Sequence, residues 1–355
     1  MSLLFSPLNL RSVTFPNRLW VSPMCMYSAV DGLVQEWHHA HLAQFASGGA
    51  GLIVAEATSV VPEGRISPRD TGIWDDEQRD AWAPIVQAIH HRGSLAGIQL
   101  AHAGRKASTW WPWADERGSV AEADGGWQTV APSAIAFEGF DEPVALDAAG
   151  IERVVDGFAT AARRALDAGF DVLELHGAHG YLLHQFLSPL SNQRADEYGG
   201  TLASRARLLL RVIDEVRAVA GDGVPVFVRI SATDHADGGF TAEEAAQVAE
   251  WAIEHGADLI DVSSGGLVAH QRIDVHPGYQ VPLAATVRRS GRVPVSAVGL
   301  ITAAEQAEQV LSEGAADAIF AGREWLRDPH FGLRAAHELG AKTDWPPQYL
   351  RARWR

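Results

Sequence analysis

Two imidazoles and a phenol fall within one short stretch, His176-Gly177-Ala178-His179-Gly180-Tyr181, and this is the strongest chemical signal in the chain. An imidazole N–H can hold a carbonyl or anionic oxygen, and a phenol can hand over a proton. The stretch closes the run Phe170–Leu175, in which Val172–Leu175 reads as a short buried strand and Tyr181-Leu182-Leu183 as the start of a loop or helix. Parallel sheets and barrels gather ligand chemistry where their strands end. The competing reading makes both histidines satisfied core groups and Tyr181 a packing residue. One histidine alone would favour that reading; the grouping favours function.

Such a cluster needs a scaffold, and the rest of the chain supplies one. Eight β-branched or apolar runs recur: Arg18–Cys25, Leu52–Ala57, Leu95–Leu100, Val172–His176, Val224–Ile230, Leu259–Ser264, Val293–Gly299 and Ala318–Arg323. Helical patterns lie between them at Gln78–His91, Ile151–Ala168, Ala203–Ala220, Glu243–His255 and Ala303–Ser312. Gly93, Gly169, Gly256 and Gly314 stand where a helix would end in a left-handed turn. Thr241 and Thr302 suit capping boxes. Strands alternating with helices imply a parallel sheet, and eight strands close a barrel, so the expected class is α/β, a (β/α)8 TIM barrel forming one domain over 1–355. A doubly wound sheet is the runner-up, but it wants a Gly-x-Gly-x-x-Gly turn after its first strand, and none follows Cys25.

The interval between strands three and four is too long for one helix. Residues 104–150, with Trp110, Trp111, Trp113, Trp127 and several prolines and glycines, are expected to form an insertion lying over the barrel mouth as a lid. Its tryptophans suit self-packing and substrate contact equally. The mouth can then be assembled from strand ends: Ser22–Cys25 and Tyr27, Ala57, Gln99 and His102, the histidine cluster, Arg229, Ser263–Gly265, Gly299, and Gly322-Arg323. Gly299 and Gly322 with Arg323 suit a phosphate, because this fold commonly binds one after strands seven and eight. Arg229 interrupts an apolar strand and needs a negative partner. That partner is either an acid such as Glu174 or an electron-rich cofactor ring.

Composition narrows the classes further. The chain has 355 residues, 47% of them hydrophobic and 21% charged, as in an ordinary globular protein. A formal net charge of −15 argues against nucleic-acid or anionic-membrane partners. Cys25 is the one cysteine, which rules out an internal disulfide and a Cys-ligated iron–sulfur cluster and points to a reducing compartment. With neither a basic, apolar leader nor a membrane-length apolar run, a cytoplasmic protein is expected.

Three stretches together resemble one family. They are Ser22-Pro23-Met24-Cys25-Met26-Tyr27, Gln99–Lys106 and His176–Tyr181, extended by Leu187–Gly200 and by Gly322-Arg323. The set is similar to the old yellow enzyme family, and nearest to its bacterial NADPH dehydrogenases and xenobiotic reductases that carry a cysteine after strand one. The resemblance implies an FMN-dependent ene-reductase taking hydride from NADPH or NADH. It assigns Ser22, Pro23, Met24, Cys25, Ala57, Gln99, Arg229, Gly299, Gly322 and Arg323 to FMN, with Gln99 on the pyrimidine edge and Arg229 beside N1 and C2. It implies that His176 and His179 hold the substrate carbonyl, that hydride passes from flavin N5 to the β-carbon, and that Tyr181 protonates the α-carbon. Cys25 would tune the flavin and Tyr27 would add a second phenol over the substrate. Expected substrates are enones, with quinones and nitro compounds as further small-molecule candidates. A homodimer or homotetramer is expected, with the tail 341–355 placing Trp354 or Arg351 in a neighbour's pocket.

Two other readings compete. A metal-dependent hydrolase would use Trp37-His38-His39-Ala40-His41, but that run sits in a helical stretch and not at a strand end. A flavin-binding redox sensor switching through Cys25 would have no use for an acid opposite the ring.

Overall fold

The computed structural model describes residues 2–354, and its centre is a closed barrel of eight parallel strands in chain order. The strands are β1 (Leu19–Val21), β2 (Leu52–Ser59), β3 (Leu95–Ala101), β4 (Val172–Gly177), β5 (Val226–Ser231), β6 (Leu259–Ser263), β7 (Val295–Ala297) and β8 (Ala318–Ala321). The ring closes where Ile319 of β8 pairs with Leu19 of β1. The expected (β/α)8 barrel is the observed fold.

Alternation along the strands sorts their side chains into two bodies. Leu19, Ile53, Ile98, Leu173, Val228, Ile260, Val295 and Ile319 belong to the large outer core, packed against the helices. Trp20, Leu52, Val172, Phe227, Leu259 and Phe320 belong to a separate inner cluster at the start of the strands. Trp20 lies 5.7 Å from Phe227 and 5.3 Å from Phe320, ring centre to ring centre. A hairpin, Leu8–Leu10 against Val13–Phe15, adds Phe15 to this cluster, 4.9 Å from Trp20. The base of the barrel is therefore closed by aromatic rings. Above it the inward positions turn polar: Gln99, Glu174, Arg229, Asp261 and Ser296 are all buried.

The longer helices are α1 (Glu36–Ser47), α2 (Asp76–His90), α3 (Ala148–Asp167), α4 (Leu202–Ala220), α5 (Ala242–Glu254), α6 (Val281–Gly291), α7 (Ala304–Ser312) and α8 (Phe331–Glu338), and two short ones span Leu182–Leu187 and Arg323–Arg327. Thr241 caps α5 in a full capping box with Glu244. Thr302 does not cap α7: Ala303 is the N-cap, and the Thr302 N–H donates to the Gln306 side chain instead. Gly93, Gly169, Gly256 and Gly314 all adopt positive φ, as expected. The sequence reading passed over α6 and α8, which follow breaker-rich stretches; Pro282 lies in the first turn of α6 and Pro329 just before α8.

The excursion between β3 and α3 ends at Asp147, the N-cap of α3, three residues earlier than expected. It holds two short 3-10 turns and one pair of parallel two-residue strands, Val130–Ala131 and Val144–Ala145. Its backbone and side chains reach the loops beyond β2 and β6: the Thr109 N–H donates to Ile66 O, the Trp127 indole to Glu63 O, and Arg105 to Leu267 O. No helix among the described residues is long and apolar enough to cross a membrane.

Candidate active site

The site is built on the loop that leaves β4. His179 adopts φ 58° and Gly180 φ 74°, so the chain reverses immediately after the strand. A Cβ on Gly180 would lie 2.2 Å from Gly266 O, and one on Gly266 would lie 2.6 Å from the His179 Cα. Two backbones thus meet where only glycine fits. The Lys106 ammonium ties them together, donating to His179 O at 2.9 Å and to Gly266 O at 2.8 Å. From below, the buried His184 accepts the Gly180 N–H on Nδ1 and faces Asp234 through Nε2 at 2.9 Å.

This turn brings the predicted trio together. The His176 ring lies 4.9 Å from Tyr181 and 5.2 Å from His179, near-perpendicular to both. His176 Nδ1 accepts the Ala178 N–H, which leaves its proton on Nε2. His179 Nε2 lies 2.7 Å from Ser263 Oγ, and that hydroxyl accepts from the Gln280 amide. Burial, then the Arg229 charge, holds both imidazoles well below their ordinary range. They are neutral hydrogen-bond donors at physiological pH. Burial, then Cys25, Tyr27 and Asp70, pushes the Tyr181 phenol well above its usual range, so it keeps its proton.

One side of the trio opens into a cavity of about 400 Å³. Of the expected cofactor residues, Ser22, Pro23, Met24, Arg229, Gly299, Gly322 and Arg323 line it, together with His179. The other side is an apolar group around Ala57, Ile66, Ala101 and Ala107, against which Cys25, Tyr27, Trp127 and Tyr181 pack. Trp113 of the excursion stands edge-on to Tyr27 at 5.7 Å and is largely exposed. Trp110 and Trp111 pack against each other at 5.5 Å. Trp110 and Trp111 thus pack within the excursion, while Trp113 stands beside Tyr27.

Below the cavity, Arg229 Nε lies 3.0 Å from Asp261 Oδ2, and Asp261 Oδ1 accepts from Ser296. Asp261, not Glu174, is thus the anion for Arg229; the two face each other in register on β5 and β6. Glu174 instead accepts the Gln99 amide N–H at 2.8 Å, from its register partner on β3. That bond turns the other end of the amide, the carbonyl oxygen, away from Glu174. Burial and the Asp261 charge raise the Glu174 carboxyl well above the carboxylate range.

Some mouth residues have other duties. His102 Nδ1 accepts the Gly104 N–H, its carbonyl accepts from Leu182, and burial lowers it to about 4, so it braces the loop. His38 and His41 lie on α1, where His41 packs on Phe45 and His38 faces Glu56, and no metal set converges there among the described residues. Trp354 stacks on His337 at 5.1 Å and packs on Trp345. The tail borders a second cavity, of about 1090 Å³, with Asn17, Ala50 and Ser94, at the strand-start end of the barrel. Trp354 therefore takes no part in its own chain's pocket. The sequence reading missed Gln280, which orients Ser263 and Ser264, and gave Lys106 no role; a lone amide at the end of a turn and one lysine among motif residues carry no local signal of either duty.

A sequence model of the family described as NADH:flavin oxidoreductase / NADH oxidase matches residues 3–342. An NADPH dehydrogenase of Geobacillus thermodenitrificans is 49% identical over 357 residues, spanning 100% of this chain and 99% of the relative. A Listeria monocytogenes protein of the same name is 48% identical over 358 residues, with 100% of both covered. Among solved structures, morphinone reductase superposes with a TM-score of 0.80 at 29% identity, over 98% of this chain and 92% of that one. The old yellow enzyme homologue from Zymomonas mobilis gives 0.78 at 31% identity, over 96% and 94%.

Proposed function

Since this chain belongs to the NADH:flavin oxidoreductase / NADH oxidase family, that of old yellow enzyme, we propose that it is an FMN-dependent, NADPH- or NADH-driven ene-reductase acting on α,β-unsaturated carbonyl compounds. The observation that carries the reading is the convergence of two neutral imidazole donors and a protonated phenol beside a cavity that His179 lines.

The residues present fit a flavin mononucleotide. The buried Ser22 hydroxyl has no hydrogen-bond partner within the chain. Arg229 presents a guanidinium to the cavity, Gly299 and Gly322 leave room for close backbone approach, and Arg323 adds a cation at the β8 end. Gln99, Ala57, Pro23, Met24 and Cys25 would complete the holding set. When bound, FMN supplies the electron chemistry by accepting hydride from the nicotinamide and returning it to the alkene.

The chain's own part is orientation and proton delivery. His176 Nε2–H and a His179 N–H would hold the substrate carbonyl oxygen and draw charge toward it, as donors aimed at a developing oxyanion do. Their neutrality matters, because a neutral donor polarises the carbonyl without fully protonating it. Tyr181 would place its proton on the α-carbon; Tyr27 and Cys25 would wall the same volume. Lys106 fixes the backbone between His179 and Tyr181, and its ammonium lies 5.3 Å over the Tyr181 ring. The excursion would act as the lid.

An anaerobic spectral titration tests the reading. The purified protein is expected to show two visible flavin bands that bleach with NADPH and recover with 2-cyclohexenone. A protein that stays colourless after incubation with FMN would overturn it, and recovery only on admitting oxygen would restrict it to an oxidase.

We further propose a cytoplasmic homodimer or homotetramer in which the tail, through Trp354 or Arg351, completes a neighbour's pocket. Removing residues 345–355 is then expected to raise the KM for enone and to shift the sedimenting mass. Unchanged values for both would remove the tail from the site.

A further inference from the structure

A second group of acids lies behind Cys25 and has no part in the proposed reaction. Cys25 Sγ and carboxylate oxygens of Glu56 and Asp70 all lie within 4.8 Å of one another, with Glu56 4% and Asp70 1% exposed. Glu56 reaches this position because the pairing of β2 with β3 slips between Ala55 and Ala57, leaving Glu56 as an extra residue in the ladder. Such bulges re-aim a side chain beside a functional site. Glu56 Oε2 accepts the Met26 N–H at 3.0 Å, and Oε1 lies 3.3 Å from His38 Nε2. His38 Nδ1 accepts the Gln35 N–H, so the ring proton sits on Nε2, facing Glu56. Asp70 is fixed from the other side, where Oδ2 accepts both the backbone N–H and the hydroxyl of Ser67 at 2.5 Å. Asp70 Oδ1 is buried and has no hydrogen-bond partner.

Two adjacent buried carboxylates do not both ionise: one keeps a proton while the other carries the charge. Each Glu56 oxygen has a donor facing it. The free Asp70 Oδ1 does not, and it is the place where a proton relieves the repulsion between the two carboxylates.

We propose that Glu56 and Asp70 share one proton behind Cys25, held on Asp70 Oδ1, and that this dyad is a positioning device that keeps Cys25 a thiol. Glu56 supplies a standing negative charge, and Asp70 adds a second as pH rises; both oppose formation of a thiolate. Asp70 is pushed up to about 7, by burial first and then, against its Ser67 bonds, by Glu56. Burial, Asp70 and Glu56, in that order, raise the Cys25 thiol well above its ordinary value. The other groups facing the dyad are His38 from α1, Arg65 from the loop after β2, Arg229 from β5, and the phenols Tyr27 and Tyr181. Arg65 and Arg229 act in the opposite sense and do not outweigh burial. The role of the thiol beside a flavin rests on the function proposed above; the state of the thiol does not.

Cys25 is the only cysteine, so iodoacetamide labelling of the full-length protein, read by intact mass, reports on it alone. Rates are compared for wild type and Asp70→Asn from pH 6 to 9. The expected ratio is near one at pH 6, where Asp70 is neutral, and climbs to about tenfold by pH 8.5, one unit of thiol pKa being tenfold in thiolate. Glu56→Gln leaves Asp70 as the sole carboxylate, ionised at lower pH than in the wild-type pair. Variant and wild type then each carry one charge behind Cys25 at pH 6 and differ by one at pH 8.5, so the same rise is expected. A ratio that is constant with pH would show repacking and overturn the proposal, as would no change in either variant. One equivalent of divalent metal in the purified protein, whose removal by EDTA changes the labelling rate, would also overturn it, in favour of a cation at these ligands. No reduction is measured, so failure here leaves the ene-reductase reading standing, and failure of the enone titration leaves this one standing.

Discussion

Tyr181→Phe is expected to slow reoxidation by 2-cyclohexenone about 10²- to 10⁴-fold, the usual range for loss of a general acid. Bleaching by NADPH should proceed at close to the wild-type rate. The two half-reactions separate because only the second consumes a proton at carbon. Phenylalanine keeps the ring that packs against His176 at 4.9 Å, so the geometry of the trio survives the change. Stopped-flow absorbance resolves the two steps. Equal slowing of both would make Tyr181 a binding residue and remove its role as acid. Since its phenol is held far above neutral pH, the wild-type oxidative step should show no loss from Tyr181 ionisation up to pH 9.

Arg229→Met should be the most destabilising single change in the barrel interior. It leaves Asp261 and Glu174 buried without a cation, and breaking a buried pair from one side costs about 3–5 kcal/mol. Pairing it with Asp261→Asn should restore much of that loss, which urea unfolding without added flavin will show. The deficit should also depend on pH. Without the guanidinium the Asp261 carboxyl rises further and, like Glu174, stays protonated in the folded chain at pH values where unfolded carboxyls, near 4, have ionised. Folding then takes up protons, so the variant's deficit is small below about pH 4 and grows as pH rises toward neutrality. A deficit that is flat with pH would mean that methionine merely packs badly.

Eight strands could be read from the chain because each couples an apolar outward face to the helical layer, and buried parallel strands announce themselves as short apolar runs. The trio was legible for a related reason, since it sits in one contiguous stretch that fixes its own spacing. The partner of Arg229 was not. Glu174 and Asp261 both lie on barrel strands, and only the register across β5 and β6 puts one of them against the guanidinium. Glu56 was hidden more deeply, since a bulge shifts the alternation of β2 by one residue and no pattern of apolar residues marks where that happens. Thr302 misled for a local reason, because the helix starts one residue later and the glutamine four residues on accepts the Thr302 backbone N–H. Lys106 matters only through two carbonyls that are distant in sequence.

The aromatic seal beneath the barrel bears on how this molecule could be re-engineered. Trp20, Phe15, Phe227 and Phe320 secure the ring of strands at one end, while Tyr27, Trp113 and Tyr181 shape the opening at the other. Distant sites contribute to stability almost independently, so a substrate-directed library spread over Tyr27, Ile66 and Trp113 explores new selectivity without touching the seal. The stratum of Gln99, Glu174, Arg229 and Asp261 is the floor of that evolvable space. Diversity introduced above it is expected to alter selectivity, and diversity introduced within it to cost stability.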